Sequence, residues 1–262
     1  FGNGKDTFEM DNLQNVQIIR GPASVLYGAD AMGGAVVFQT KSARDYVGSD
    51  KSTYFGIRTA TSDADDQAKV GATAAVQNGD FGLIAQLTER KFSEHEVNGL
   101  GSVNPQEGDT QGGLIKAFWD ISESQSIALS FESFTESRDF NLLSDMVGRS
   151  GSAISSSLGF DESERQRAGV EYNLLRNSGL FDDLQVRANF QSTFSTQRTL
   201  QERMSYSFVN PRDPRSFAGT AAIRDTTFGF EQDTLALNLN LRKSVETSSL
   251  VHNLSYGFNF DE

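Results

Sequence analysis

The sequence predicts an all-β protein. It reads as a transmembrane antiparallel β-barrel, with about nine strands in this chain, preceded by the C-terminal part of a mixed α/β segment. Three observations predict it. From residue 53 onward apolar and polar side chains alternate with period two. Each alternating run is about 9–12 residues, the length a tilted strand needs to cross a bilayer, where ordinary globular strands centre on about 5–6. Tight turns and long connections then take turns along the chain, as they do where short turns face one side of a membrane and long loops the other.

The first 46 residues obey a different rule. Val16-Gln17-Ile18-Ile19 is a short apolar strand, stopped by Gly21-Pro22. Pro22 suits the first position of a helix and Gly28 the residue beyond its end, so Pro22 to Tyr27 reads as one or two helical turns. Gly33-Gly34 turns the chain into a second strand, Ala35 to Thr40, closed by Lys41. The barrel strands follow in order. Phe55, Ile57 and Thr59 share one face of the first, and Val70, Ala72, Ala74 and Val76 one face of the second. Asn78-Gly79 is a hairpin signal. The third carries Phe81, Leu83, Ala85 and Leu87 against Gln86, Thr88 and Arg90. The fourth carries Ile115, Ala117, Trp119 and Ile121 against Lys116, Phe118 and Asp120. The remaining apolar faces are centred on Leu129, Val170, Val186, Leu237 and Tyr256. His252 falls on the apolar side of the last strand, near its start, and Trp119, Tyr256 and Phe258 suit interface girdles. Glu123-Ser124, Asn177-Ser178-Gly179 and Glu246-Thr247 read as short turns, while 91–110, 137–162 and 197–227 read as long loops.

Composition excludes several alternatives. With 35 Asp+Glu against 23 Lys+Arg the net charge is −12, which argues against a nucleic-acid partner. Cysteine is absent, so no disulfide framework or Cys-ligated metal is available. No nucleophile elbow, HExxH, phosphate loop or Cys–His pair is present, and no enzyme is expected. At roughly 23 residues per strand, a plugged barrel of about 22 strands needs on the order of 500 residues, so the chain is expected to be part of a longer protein.

The stretch Val16 to Lys41, VQIIRGPASVLYGADAMGGAVVFQTK, resembles the end of the plug domain of TonB-dependent outer-membrane receptors. Arg20, Gly21, Pro22, Ala23, Ser24, Leu26, Tyr27, Gly28, Gly33, Gly34, Phe38 and Lys41 carry the match. The resemblance implies a plug ending near residue 46 inside a 22-stranded barrel whose first strands occupy 53–262. It also implies active uptake energised through the TonB–ExbB–ExbD complex, with the TonB box upstream of Phe1. Thr40 to Tyr46, TKSARDY, followed by a barrel strand, is similar to the haem, haemoglobin and transferrin receptor branch. The later loop histidine flanked by two short motifs, usual in haem-taking members of that branch, has no counterpart in this chain. Extracellular haem, a haem protein or a siderophore is the implied ligand, with no permanently bound cofactor and with outer-membrane lipid as the surroundings. A passive porin or adhesin barrel and a secreted glycan-binding β-protein are the alternatives.

Candidate sites follow. The plug glycines read as scaffold. Arg20 is a candidate to pair with Glu132 or Glu171 on the barrel wall. His95, on an external loop, is a candidate haem contact, with simple solvation as the competing explanation. Arg212, Arg215 and Arg224, in the loop 197–227, are candidate contacts for propionates or an anionic chelate.

Overall fold

The computed structural model describes residues 8–21, 32–48, 50–95, 104–146, 152–209, 213 and 217–262. β1 (Leu13–Arg20) and β2 (Gly34–Thr40) form an antiparallel pair. A 3₁₀ turn at Ala43–Asp45 follows, its Asp45 carboxylate accepting from Ser42 N at 2.6 Å and Ser42 Oγ at 3.0 Å. The segment expected to be helical, Pro22 to Tyr27, lies outside the described residues.

The second sheet holds nine strands in strict chain order, each antiparallel to the next. They are β3 (Thr53–Ser62), β4 (Gln67–Asn78), β5 (Phe81–Ser93), β6 (Gln106–Ser122), β7 (Gln125–Asn141), β8 (Ser152–Leu175), β9 (Asp183–Phe208), β10 (Phe217–Glu246) and β11 (Val251–Asp261). Every strand read from alternation is present, with the expected faces. The β4–β5 hairpin turns on Gly79-Asp80, one residue later than Asn78-Gly79 suggests, because Asn78 already pairs with Phe81.

Strand length departs from expectation. β3 to β5 run 10, 12 and 13 residues, but β8, β9 and β10 run 24, 26 and 30. Much of 137–162 and 197–227 is therefore ladder, not loop. Phe208 pairs with Phe217, and the register continues unbroken to Asp183 and Arg242. The physical reason is that the apolar face marks only the stretch in contact with hydrocarbon. Backbone pairing continues beyond it, where both faces are polar and alternation gives no signal.

Residues 9–11 and 40–47 lie against one face of this sheet, here called the inner face. The outer face is apolar over a limited height. One rung there reads Phe81, Trp119, Ile127, Tyr172, Val186, Leu239 and Phe258 across consecutive strands. The apolar patch slants across the ladder. Its centre on β3, Gly56, traces through Thr73, Gln86, Leu114, Glu132, Arg167 and Gln191 to Thr234. Its centre on β11, Gly257, pairs with Asn240. Six residues of rise over eight inter-strand steps, about 20 Å against about 38 Å, put the patch roughly 30° off perpendicular to the strands. A level hydrophobic belt crossing tilted strands has this form, and membrane barrels tilt by about 35–45°.

Candidate functional site

The candidate site is the joint between the N-terminal segment and the inner wall. Glu9 precedes a 3₁₀ turn at Met10–Asn12 and caps it, its Oε1 accepting from Asp11 N at 3.1 Å. That geometry turns its carboxylate onto β4 and β5. Arg90 Nη2 lies 3.2 and 3.3 Å from the two Glu9 oxygens, and Lys69 Nζ lies 3.5 Å from Oε1. The Glu9 side chain is 1% exposed, so this is a buried ion cluster rather than a surface pair. Asp11 takes Lys69 at 2.5 Å and Arg58 at 3.8 Å. Burial disfavours the charged form of Asp11. The Lys69 hydrogen bond and the fields of Lys69, Arg58 and Lys41 outweigh it, and hold the carboxyl below its ordinary 3.8.

The wall is shaped for this contact. A Cβ at Gly112 would stand 2.6 Å from Glu9 Cβ, so the glycine is what lets the Glu9 stem reach the sheet.

A second set of contacts lies toward the start of β3. Ala43 and Val47 are buried with Ala75, Ile84 and Phe118 of the inner face. Gln86 Nε2 donates to Tyr46 Oη at 2.9 Å, and Lys116 Nζ donates to Thr40 O and Oγ1, each at 3.3 Å. Arg44 pairs with Asp120 and lies 3.9 Å from the Phe118 ring centroid. Acids of the segment thus meet bases of the wall at residues 9–11, while bases and hydroxyls dominate at 40–46.

Arg20 does not pair as expected. It sits exposed at the end of β1, opposite Gly34. Glu132 accepts from Arg165 at 3.2 Å, and Glu171 from Arg187 at 3.0 Å. The wall supplies cations to both carboxylates from an adjacent strand, which satisfies them without the N-terminal segment. Gly21 (φ 98°) and Gly34 (φ 144°) hold left-handed conformations around Arg20, which glycine adopts without strain. Gly33 accepts from Gly21 N at 3.3 Å. Pro22, Tyr27, Gly28, Arg212 and Arg215 lie outside the described residues.

His95 is exposed just past the end of β5. It follows Glu94, which lines an open cleft of about 520 Å³ with Asp66, Gln106, Asp139, Phe140 and Phe160. Among the described residues no three His, Asp or Glu side chains gather to hold a metal ion. Arg224 is not on a loop. It belongs to β10 opposite Gln201, on the inner face, with Nε donating to Thr226 Oγ1 at 3.2 Å. At the same rim Asp145, in a 3₁₀ turn at Leu143–Met146, folds onto the wall. Its Oδ2 accepts from Ser157 Oγ at 2.8 Å and Gln201 Nε2 at 2.9 Å.

Sequence reasoning missed Glu9, Asp11, Lys69, Arg90 and Gly112. Only one signal was available. Lys69 and Arg90 are charged at inner-facing positions of short strands, and charge on a wall that touches protein needs a partner.

Residues 2–35 match the sequence model of the TonB-dependent Receptor Plug Domain. The chain is 28% identical over 206 residues to the hemoglobin and hemoglobin-haptoglobin-binding protein of Haemophilus ducreyi, covering 73% of this chain and 21% of that protein. It is 27% identical over 296 residues to hemoglobin-haptoglobin utilization protein B of Neisseria meningitidis serogroup A, covering 98% of this chain and 35% of that one. The fold is shared with the Serratia marcescens hemophore receptor HasR, solved in complex with its hemophore HasA and heme. The TM-score is 0.60 at 13% identity, over 96% of this chain and 47% of that one. The chain therefore spans about a third or less of these two curated relatives.

Proposed function

We propose that this chain, a piece of a TonB-dependent outer-membrane receptor, belongs to an importer that carries an iron-containing ligand, haem or a ferric chelate, across the bacterial outer membrane. Residues 1–46 are then the end of the plug, and 53–262 the first strands of a 22-stranded barrel. The observation that carries the reading is the buried Glu9 cluster: a separate N-terminal segment is seated by paired charges on the polar inner face of a sheet whose outer face is apolar. A channel open at rest has no use for such a seat. The names of the two curated relatives favour haem taken from haemoglobin as the ligand source.

Ligand docks from the side of the longer connections. His95, Arg212, Arg215 and Arg224 are its candidate contacts, and Arg20 with the plug glycines is scaffold. Energy arrives through TonB–ExbB–ExbD from the other side, and the plug contacts are what that energy rearranges. The test is uptake of labelled haem by cells producing the full-length receptor, with and without a proton-gradient uncoupler. Uptake abolished by the uncoupler is expected. Uptake that survives it would replace this reading with a passive porin, and absence of uptake with a ferric-chelate ligand intact would move the substrate to the siderophore class.

A further inference from the structure

Gly112, which faces Glu9, pairs with Phe134, and Phe134 pairs with Arg165, so Arg165 lies on the inner face of β8. Ser157 stands eight residues further up that strand. The register shift of the β8–β9 ladder falls between Ile154 and Ser156, above Ser157, so Ser157 keeps the inner face. It pairs directly with Gln201 of β9. Both side chains are polar, yet Ser157 is 0% exposed and Gln201 8%. Against them lies the short turn Leu143–Met146, folded inward from the end of β7. Leu142 N donates to Ser157 O at 2.8 Å, and a Cβ at Gly159 would meet Leu142 Cδ1 at 3.4 Å. Asp145 Oδ2 then accepts from both buried groups, from Ser157 Oγ at 2.8 Å and from Gln201 Nε2 at 2.9 Å.

Two links extend this contact in opposite directions. On β9, Gln201 turns its amino group to Asp145 and its Oε1 to Arg203, whose Nε donates at 3.0 Å. An amide carries its donor and its acceptor on opposite sides, so the two contacts are set together. Toward β6, Ser144 N donates to Asn104 Oδ1 at 3.0 Å, and Asn104 Nδ2 donates back to Ser144 Oγ at 3.1 Å. Asn104 leads into β6, where Gln106 N donates to Glu94 Oε2 at 3.1 Å, just past the end of β5. The connections that follow β5 and β7 are thus joined side to side, and the second is fastened to the wall through one carboxylate.

We infer that residues 104–106 and 141–146 form a single strap on the upper inner wall, latched by the Asp145 carboxylate. Opening the latch uncovers the Ser157–Gln201 rung, frees the Arg203 guanidinium from Gln201, and loosens the connection after β5 with it. The latch is a half-buried carboxylate held by two uncharged donors. It opens more readily than the Glu9 seat, where a side chain 1% exposed is held by two cations. The strap is a conformational device of the wall itself and stands whichever ligand the receptor carries.

The experiment follows amide exchange of the full-length purified receptor by mass spectrometry, with phenylglyoxal labelling of Arg203 as a second readout. Asp145→Ala is expected to raise exchange about fivefold or more, the factor for one net hydrogen bond, at 104–106 as well as at 142–146. Arg203 is expected to label faster in the same variant. Asn104→Ala is expected to raise exchange at Leu142 and Asp145, whose own amide bonds it leaves in place. Gln201→Glu keeps an acceptor for Arg203 and sets a like charge against Asp145, so it is expected to open the strap while Arg203 labelling stays slow. Exchange in β8 below Ser163 is the fold control for each variant. Parental exchange at 104–106 in Asp145→Ala, with 142–146 released, would overturn the single strap. Parental labelling of Arg203 in that variant would overturn the latch's hold on the wall.

Discussion

At the scale of single residues, Glu9 is the most consequential side chain described. It carries a charge taken out of water and repaid by Arg90 and Lys69. Arg90→Ala leaves that carboxylate with Lys69 alone, and breaking a buried pair costs about 3 kcal/mol. The expected result is earlier release of the N-terminal segment, measured as protease cleavage within residues 1–47 of the reconstituted receptor at lower urea than the parent. Gly112→Val should act in the same direction by pushing Glu9 off the wall, with the outer strands unaffected. Asp11 adds a pH dependence of definite sign. Its folded pKa lies below its ordinary 3.8, so its contribution is complete above that value and is lost as pH falls through the folded one. Protection of the segment should therefore be flat from neutrality to about pH 5 and decline below about 4. Asp11→Asn should flatten that decline.

At the scale of elements, the strands were legible wherever hydrocarbon selects their outer side chains, and illegible above it. Leu235 to Leu241 could be read at sight, whereas Thr196 to Gln201 could not, because nothing distinguishes a polar strand from a polar loop except the ladder itself. That is why Arg224 was expected on a loop and lies in β10. The plug contacts were hidden for another reason: Glu9 and Arg90 are 81 residues apart, and no local pattern encodes that distance. The membrane belt predicts where charge is tolerated. Leu237→Arg, outward and mid-belt, should cost about 2–4 kcal/mol of barrel stability, and Thr227→Arg, outward and above it, close to nothing. Urea unfolding in vesicles checks both. Asp145 predicts local order. Asp145→Ala removes the acceptor shared by Ser157 and Gln201, and should speed amide exchange in 142–146 without changing that of β8 below Ser163.

At the scale of the whole molecule, the slanted outer patch fixes how the sheet must stand. If the belt is level in the membrane, the strands lean roughly 30° from its normal, and polarised infrared dichroism of oriented bilayers should report a tilt near that or slightly higher. Strands upright in the bilayer would contradict the register argument. The net charge of −12 is unevenly shared. Arg138, Arg165, Arg167, Arg187 and Arg203 all face inward, while Glu89, Glu107, Asp139, Glu162, Glu164 and Glu231 face outward above the belt. An acidic chain thus presents a cation-rich inner face, a distribution that composition could not disclose.

The notch at Gly112 has a consequence for the order of events during biogenesis. The ribosome makes Glu9 first, but its berth exists only once β4, β5 and β6 have zipped together, a hundred residues later in synthesis. Closing so long a loop early is entropically unfavourable. The N-terminal segment is therefore expected to seat only after those three strands have met, however early it is made.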